Sequence, residues 1–267
     1  MKSKLAVSLF FYVSTVLAAS VFTQSPSLMH NLEEVSHVPE TIPRRIQAVA
    51  FDGKKLWFAI YHHRGGYVTY DPETKQWDTT QDPRLRDAIA ATMGRFMSAA
   101  GMVFVDGKIW LGSAYGESLG WVDPSGPATF VVSSGHYKPD LYGSQSYSDL
   151  TYDGTHLWAA WHSFHHPSPR SKTQLLLKID KDTGEVLGEF PLPPGESGDG
   201  THGLTWDGTT LWHAKGNKLS QLDRNGSLLR QYAIPNVNRP SGLAWDGRAL
   251  WIVEFGGKLW RLPLKRL

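Results

Sequence analysis

The stretch from His202 to Trp212, HGLTWDGTTLW, decides the fold because its pattern occurs five times in the chain. Each copy places an apolar residue before Asp-Gly and a Leu-Trp or Ile-Trp pair a few residues later. The five Asp-Gly pairs begin at Asp52, Asp106, Asp153, Asp207 and Asp246. The spacings between them are 54, 47, 54 and 39 residues. Repeats of this length indicate units that pack on their neighbours to build one core.

Each unit has the pattern of four β-strands. Asp-Gly between two apolar runs is a strong hairpin signal. A third strand follows, as at Leu219–Leu222, and the turn Asp223–Gly226 leads to a fourth strand at Leu228–Tyr232. Four antiparallel strands per unit are typical of a propeller blade. The sequence therefore predicts an all-β fold, a five-bladed β-propeller of four-stranded antiparallel blades that spans residues 34–267.

The two ends of the chain predict how the ring closes. The last unit stops after its third strand, at Leu259–Leu262. Upstream of the first unit, Glu34–Pro43 resembles Gln231–Pro240, which links two complete units. We therefore expect the N-terminal segment to supply the outer strand of the last blade. Such a strand would cover a sheet edge that could otherwise pair with another chain.

The repeated tryptophans and aspartates have a structural and a functional interpretation. Packing between blades is expected for the five Trp residues, and a ring of sugar-stacking indoles is the alternative. The Asp residues are expected to form turns rather than to act as catalytic acids, because Asp favours such turns and Gly accepts a positive φ. The five tryptophans are Trp57, Trp110, Trp158, Trp212 and Trp251.

The N-terminus has the three parts of a secretory signal peptide. Lys2 and Lys4 precede the uncharged apolar run Leu5–Leu17, and the small residues Ala18–Ser20 follow it. We expect a signal peptide at residues 1–19 and a flexible mature N-terminus at residues 20–33. An uncleaved anchor and a buried first strand are the alternatives. Export predicts a periplasmic or secreted protein with no membrane span after cleavage.

The charge of the mature chain narrows the class of partner. Loss of Lys2 and Lys4 lowers the Lys+Arg count from 27 to 25, which equals the 25 Asp+Glu residues. Near neutrality argues against nucleic acid or an anionic membrane as a partner. A small polar ligand or a protein or peptide partner fits better, and we expect a monomer. The chain has no Cys, so its core alone must hold the fold.

The longer connections predict the functional face. The Asp-Gly turns and the short turns between third and fourth strands share one end of an up-and-down ring. The other end carries three inserts, at residues 77–102, 133–147 and 162–173. The first insert contains a predicted helix that begins at Pro83, has Leu85, Ile89 and Met93 at helical spacing, and ends at Gly94. Function is expected there, because binding residues concentrate on loops held by a rigid scaffold.

Polar residues are predicted to meet at the channel mouth of that face. The position five residues before each Asp-Gly begins the innermost strand and holds Gln47, Gly101, Ser148, His202 and Ser241. Neighbouring positions and the ends of the second strands add further polar side chains. The predicted ligand-binding residues are His202, Arg45, Gln47, His162, Glu254, Asp149, Tyr115, Lys215 and Arg239. A mouth with this mixture suits a small polar or anionic ligand.

The sequence leaves the choice between binding protein and enzyme open. The tract Trp161–His166 has histidines that could bind a metal or could merely be solvated, so no metal, cofactor or catalytic residue is assigned. His-Glu-x-x-His, phosphate-loop and EF-hand patterns are absent. The first hypothesis is a propeller that binds a ligand or a protein at this mouth. The alternative is a propeller enzyme of cyclotransferase, lyase or lactonase type, with or without the assistance of a metal.

The repeat unit at His202–Trp212 resembles the blades of exported bacterial propellers of the lactonase, lyase and quinoprotein-like groups. It is also similar to the five-bladed plant-type glutaminyl cyclotransferases. This resemblance covers residues 40–262 for the most part and rests on the structural repeat, so it implies a fold and not an activity. Ile46–Val49 is the nearest match to the opening motif of the cyclotransferases and departs from it.

Overall fold

The computed structural model describes residues 29–42, 45–61, 66–93, 99–114, 118–126, 129–133, 145–164, 172–193 and 202–264. Their strands form five four-stranded antiparallel sheets. Strand β1 (Glu33–His37) precedes the first blade, which consists of β2 (Ile46–Phe51), β3 (Leu56–Ile60), β4 (Tyr67–Asp71) and β5 (Gln76–Asp78). The second blade consists of β6 (Ala99–Val105), β7 (Lys108–Ser113), β8 (Ser118–Val122) and β9 (Thr129–Ser133).

The other three blades follow the same order from inner to outer strand. Blade 3 consists of β10 (Gln145–Tyr152), β11 (Leu157–Phe164), β12 (Lys172–Ile179) and β13 (Val186–Pro191). Blade 4 consists of β14 (Gly203–Trp206), β15 (Leu211–Lys215), β16 (Lys218–Leu222) and β17 (Leu228–Ala233). Blade 5 has β18 (Pro240–Trp245), β19 (Ala249–Glu254) and β20 (Lys258–Pro263), with β1 as its outer strand. The fold is the predicted five-bladed propeller.

Strand β1 closes the ring as predicted. It pairs antiparallel with β20, from Glu33 opposite Arg261 to His37 opposite Lys258. Its Ser36 hydroxyl accepts a hydrogen bond from the Trp77 indole N–H of blade 1 (2.8 Å). The N-terminal strand therefore joins the last blade to the first and covers the edge of β20. We call residues 29–42 the clasp.

The core consists of five clusters, one at each contact between neighbouring blades. Each repeated Trp packs in a different cluster, so the tryptophans lie between blades as expected. The inner strands pack closely at the axis, and glycine permits this. A Cβ at Gly242 would lie 2.6 Å from the Val49 backbone N, which leaves no room for a side chain.

In four blades the Asp of the Asp-Gly turn forms a hydrogen bond with the repeated tryptophan. The Asp accepts backbone N–H groups of its own turn, and its second oxygen accepts the indole N–H. Both interactions support the expectation that the repeated aspartates form turns. The indole bonds are Trp57–Asp52 (2.7 Å), Trp158–Asp153 (3.0 Å), Trp212–Asp207 (2.7 Å) and Trp251–Asp246 (2.7 Å).

Blade 2 departs from this pattern and corrects one expectation. Val105 pairs with Lys108, so only Asp106 and Gly107 form the turn, and Asp106 has a φ of +52°. The turn is shorter than in the other blades, and the register of β6 shifts by one residue. Ala100, rather than Gly101, therefore occupies the position equivalent to Ser148 and His202.

The predicted helix is present as α1 (Pro83–Met93). Its buried side chains include Leu85, Ile89 and Met93, as the helical spacing predicted. They join the cluster between blades 1 and 2. No helix in the described ranges is long and apolar enough to cross a membrane.

Candidate functional site

The two ends of the ring differ in the way the sequence predicted. Every inner strand begins, and every second strand ends, at the same end of the axis, because each blade repeats one antiparallel order. We call this end the insert face; it carries α1 and the connections between blades. The Asp-Gly turns lie at the opposite end, the turn face. His162 lies within β11, so the third insert begins later than expected.

Asp149 lies at the centre of the ring and holds its inner strands together. Its carboxylate accepts backbone N–H groups of Leu150 (2.9 Å), Leu204 (2.7 Å) and Leu243 (3.1 Å), and also that of Met102. These donors come from the inner strands of four blades. Burial raises the pKa of this carboxyl well above its usual range, although the four N–H groups oppose the shift. With both oxygens engaged by backbone, Asp149 supports the channel, and we leave it out of the proposed ligand contacts.

A row of buried polar side chains lies between blades 3 and 4 on the insert face. Ser148 Oγ and His162 Nδ1 are 2.6 Å apart. The His162 and His202 rings stack with centroids 5.9 Å apart, and His202 Nδ1 is 2.8 Å from His213 Nε2. Lys215 extends the row and donates to Gln174 Oε1 of blade 3. We call Ser148, His162, His202, His213 and Lys215 the histidine row.

The row is shielded from water, and this sets its charge. His162 is 3% exposed, Lys215 4% and His213 1%. Burial, and to a smaller extent the positive charge of Lys215, lowers the pKa of His213 to about 3. His213 is therefore neutral at physiological pH, and Lys215 supplies the cationic end of the row. A cation beside the neutral imidazole of His213 suits a ligand with acceptor or anionic groups.

The equivalent positions in the other four blades provide a comparison for the histidine row. His213 directly follows the repeated Trp, and the other four blades have apolar residues at the equivalent position. Those residues are Phe58, Leu111, Ala159 and Ile252. The propeller therefore does not require a polar group there. The sequence prediction missed His213, although alignment of the units on Trp would have identified it as the exception.

Glu254 and Arg239 are predicted site residues that the fold brings together through the backbone. The Glu254 carboxylate is buried and accepts the Asn238 backbone N–H (3.0 Å) and the Trp260 indole N–H (2.8 Å). Arg239 is exposed, and its guanidinium carbon lies 4.5 Å from the centroid of the Phe255 ring. Glu254 thus holds the segment that presents Arg239.

The remaining predicted residues lie near the axis or the rim. Arg45 is exposed, and its carbonyl accepts the Tyr61 N–H (2.7 Å). Gln47 occupies the position equivalent to His202, and its Oε1 is buried without a hydrogen-bond partner among the described residues. Tyr115 lies outside the described residues. His202 and Glu254 lie at the same end of the ring by strand direction, as the site prediction requires. Their role in ligand binding stays a prediction.

Two other features bear on the chemistry. The described residues contain no group of three or more His, Asp or Glu side chains that could hold a metal ion. A cleft of about 250 Å³ lies on the turn face between blades 2 and 3. Its ammonium groups have partners within the fold, because Lys181 binds Asp182 (2.7 Å) and Lys108 lies 3.7 Å from the Trp121 ring centroid. The histidine row is the better candidate site.

Comparison with known proteins supports the fold. No protein-family model and no curated protein matches the sequence. Virginiamycin B lyase from Staphylococcus aureus is similar in structure, at 17% identity and a TM-score of 0.50, over 88% of this chain and 99% of that one. Glutaminyl cyclase from Myxococcus xanthus is similar at 9% identity and a TM-score of 0.51, over 86% and 94%.

A third structure is longer than this protein. BamB from Moraxella catarrhalis is similar at 15% identity and a TM-score of 0.45; the match covers 86% of this chain but only 62% of BamB. The two structures with TM-scores of 0.50 and 0.51 share the propeller architecture with this protein, and identities of 17% and 9% indicate no shared activity. The five four-stranded sheets define the class of protein as a five-bladed β-propeller.

Proposed function

We propose that this protein is an exported propeller that binds a small polar or anionic ligand at the channel mouth of its insert face. The observation that carries the proposal is the histidine row, which buries five polar side chains between blades 3 and 4. Buried polar groups cost folding free energy unless they are hydrogen-bonded. The other blades have apolar residues at the position of His213, so a role beyond folding accounts best for the row.

The chemistry of the row suggests how a ligand would bind. Lys215 would attract an anionic or electron-rich group, and neutral imidazoles can donate or accept one hydrogen bond at each nitrogen. A small ligand is favoured over a protein partner, because the row lies beneath the surface of the ring. A protein partner would instead contact the exposed rim.

A ligand screen by thermal shift tests this proposal. The purified mature protein is heated with a library of polar and anionic metabolites, and with divalent metals as a separate set. We expect a hit to raise the Tm of the wild type and to lose its effect in His202→Ala and His213→Ile. His156→Ala is the matched control, since His156 lies at an Asp-Gly turn of the turn face. A hit that stabilises all variants equally would contradict the proposed site.

The alternative is an enzyme that uses the same mouth. Ser148 Oγ and His162 Nδ1 are within the distance at which an imidazole can activate a hydroxyl nucleophile. Such a pair favours acyl-transfer or elimination chemistry, of lactonase, lyase or cyclotransferase type. A fluorophosphonate probe should label the wild type but not Ser148→Ala if the pair is catalytic. Equal labelling of both proteins, or none, would leave the binding function as the better account.

Export is the remaining part of the proposal and rests on residues 1–20. The mature protein should begin near Ala19 or Ser20. Mass spectrometry of protein recovered from the periplasm or medium tests this. Exported material that retains Lys2 would rule out cleavage.

A further inference from the structure

The backbone at Arg239 has an unusual conformation. Its φ is +54°, a value that few residues other than glycine adopt. The next residue is Pro240, which normally restricts the preceding residue to extended conformations. Ser146 holds the equivalent position in blade 3, inside strand β10, and does not have a positive φ. The repeat therefore does not demand this conformation.

Three hydrogen bonds fix the backbone on either side of the Arg239 side chain and its support, Glu254. Glu254 Oε1 accepts the backbone N–H of Asn238 (3.0 Å) and is itself fixed by the Trp260 indole N–H (2.8 Å). The Phe255 N–H donates to the Arg239 carbonyl (3.0 Å). Because Glu254 is only 5% exposed, its carboxylate is a rigid support. Unusual backbone conformations persist when surrounding contacts determine them, and they concentrate at functional sites.

The result is an ordered arginine on the rim of the insert face. The Arg239 guanidinium stacks on Phe255, and the Phe255 ring meets Tyr61 of blade 1 edge to face with centroids 5.7 Å apart. The Arg45 carbonyl accepts the Tyr61 N–H, and the Phe255 carbonyl accepts the Ile46 N–H (3.1 Å). Arg45 and Arg239 therefore flank one aromatic pair, and both are exposed. We call Arg45, Tyr61, Arg239 and Phe255 the rim patch.

We propose that the rim patch binds an oxyanion, a carboxylate or phosphate group of the ligand, and that Glu254 is its positioning residue. This inference rests on the proposed function, since it names a chemical group of the ligand that binds the insert face. A guanidinium stacked on an aromatic ring presents the edge of its plane to the ligand, and this edge can bind an oxyanion through two parallel N–H bonds. Stacking also restricts the side chain before the ligand arrives, which lowers the entropy lost on binding.

Titration with simple anions tests the rim patch. Sodium phosphate and sodium citrate are added to the full mature protein, with sodium chloride at equal ionic strength as the reference, and binding is followed by calorimetry and Tm. Saturable binding to the wild type is expected for at least one anion; the one that binds identifies phosphate or carboxylate chemistry. The Kd should rise at least tenfold in Arg239→Ala and in Arg45→Ala, and about as much in Arg239→Lys, which loses the two-pronged geometry.

The control variant is Arg224→Ala. Arg224 is also exposed and also stacks on an aromatic ring, Trp206, at 4.7 Å, but it lies on the turn face. Its removal should leave anion binding unchanged. An equal loss in Arg224→Ala would mean that the anions respond to total charge, which would overturn the inference.

Glu254 variants test positioning separately from stability. Glu254→Ala should weaken anion binding at least tenfold, although it leaves both arginines in place. Glu254→Gln keeps an amide oxygen that can accept the Asn238 and Trp260 N–H groups and should restore most of the affinity. Binding is measured well below the Tm of each variant, after circular dichroism confirms the fold. Full affinity in a folded Glu254→Ala would refute the positioning role.

The outcomes separate this inference from the proposed function. Anion binding that survives Arg239→Ala but is lost in His213→Ile would assign the anion to the histidine row, which supports the proposed function and overturns the rim patch. The absence of phosphate and citrate binding in the wild type would also overturn the rim patch. The metabolite screen would still decide the proposed function, because it includes uncharged ligands.

Discussion

The contact between blades 3 and 4 and the contact between blades 5 and 1 use the same repeat positions for different purposes. At the first contact these positions hold the polar residues His162, His202, His213 and Lys215. At the second they hold Phe255, Gln47, Phe58 and Ile60. Phe58 and Ile60 are fully buried, as His213 and Lys215 are. The same scaffold thus accepts apolar or polar side chains, and the polar set marks the contact at which folding alone does not explain the sequence.

The largest expected effect concerns the blade 5–1 contact, which the clasp seals. Deletion of residues 31–43 removes the β1–β20 pairing and the Trp77–Ser36 bond. It also removes the side chain of Val38, which is 1% exposed and packs in the cluster between blades 5 and 1. We expect a loss of about 4 kcal/mol or more, or on the order of 10 °C in Tm. Deletion of residues 20–28 is the control. If both deletions have the same small effect on Tm, the clasp is not needed for closure.

Hydrogen exchange would sharpen that comparison. Without the clasp, amide protection should fall first in β18–β20 and β2, on either side of the open contact. The strands β10–β15 at the blade 3–4 contact should keep their protection longer, because their chain is continuous. A uniform loss of protection would mean that the ring unfolds as one unit.

Asp149 is expected to have the next largest effect. Asp149→Ala removes a buried acceptor from four backbone N–H groups at the axis, which should cost about 3 kcal/mol or more. Asp52→Ala removes a carboxylate with a similar number of bonds from an exposed turn and should cost about 1 kcal/mol. Urea unfolding of both variants gives the difference. Equal losses would mean that the axis depends on apolar packing more than on Asp149.

The blade 3–4 contact should make the free energy of unfolding depend on pH in a way that the blade 5–1 contact does not. His213 has its pKa lowered to about 3 in the fold, against about 6.5 in an unfolded chain. Below pH 6.5 the unfolded chain therefore binds a proton that the folded chain does not. The free energy of unfolding decreases as the pH is lowered from 6.5 to about 3. His213→Ile should remove this loss, which amounts to about 1.4 kcal/mol per pH unit. Unfolding free energies measured between pH 7 and 4 test it.

The reverse exchange is the matched control. Phe58→His places an imidazole at the equivalent position of the blade 5–1 contact and should make that variant lose stability faster on acidification than the wild type. If His213→Ile keeps the full acid sensitivity of the wild type, the buried neutral state of His213 is wrong.

The smallest effect concerns backbone strain at the rim. Glycine tolerates a positive φ, so Arg239→Gly should be about 1 kcal/mol more stable than Arg239→Ala. At Ser146, the equivalent position inside strand β10, the order should reverse, because glycine costs more backbone entropy on folding. Chemical unfolding of the four variants measures both differences. The same order at both positions would show that Arg239 carries no strain.

The sequence predicted the parts of the fold that the repeat encodes. Five Asp-Gly and Trp units defined five blades, and the missing last strand predicted the clasp. The register of blade 2 was predicted wrongly, because the units were aligned on Asp-Gly, and Asp106 and Gly107 form a shorter turn. Trp110 follows Asp106 by four residues, against five in the other blades, so alignment on Trp would have given the correct register.

The site was predicted less completely because its contacts join different strands. His162 and His202 were identified by their places on strands, but the stacking of their rings depends on the packing of blade 3 against blade 4. The contact of His202 with His213 depends on the pairing of β14 with β15. Glu254 was predicted as a ligand contact, and its hydrogen bonds to Asn238 and Trp260 emerge only when β19 and β20 pair. The sequence pattern of one strand indicates on which side of the sheet a residue lies. It does not indicate which residues of other strands that residue contacts.

The clasp also dictates when folding can finish. Glu34 and Lys258 form an ion pair across a sequence separation of 224 residues, so the first strand must wait for the last. Loop-closure entropy grows only slowly with length, and the long separation therefore costs little at equilibrium. Kinetically it matters more, because contacts between distant segments form late and slow folding. A chain synthesised from the N-terminal side would thus keep β1 unpaired until β20 has been made, and the ring would close late in folding.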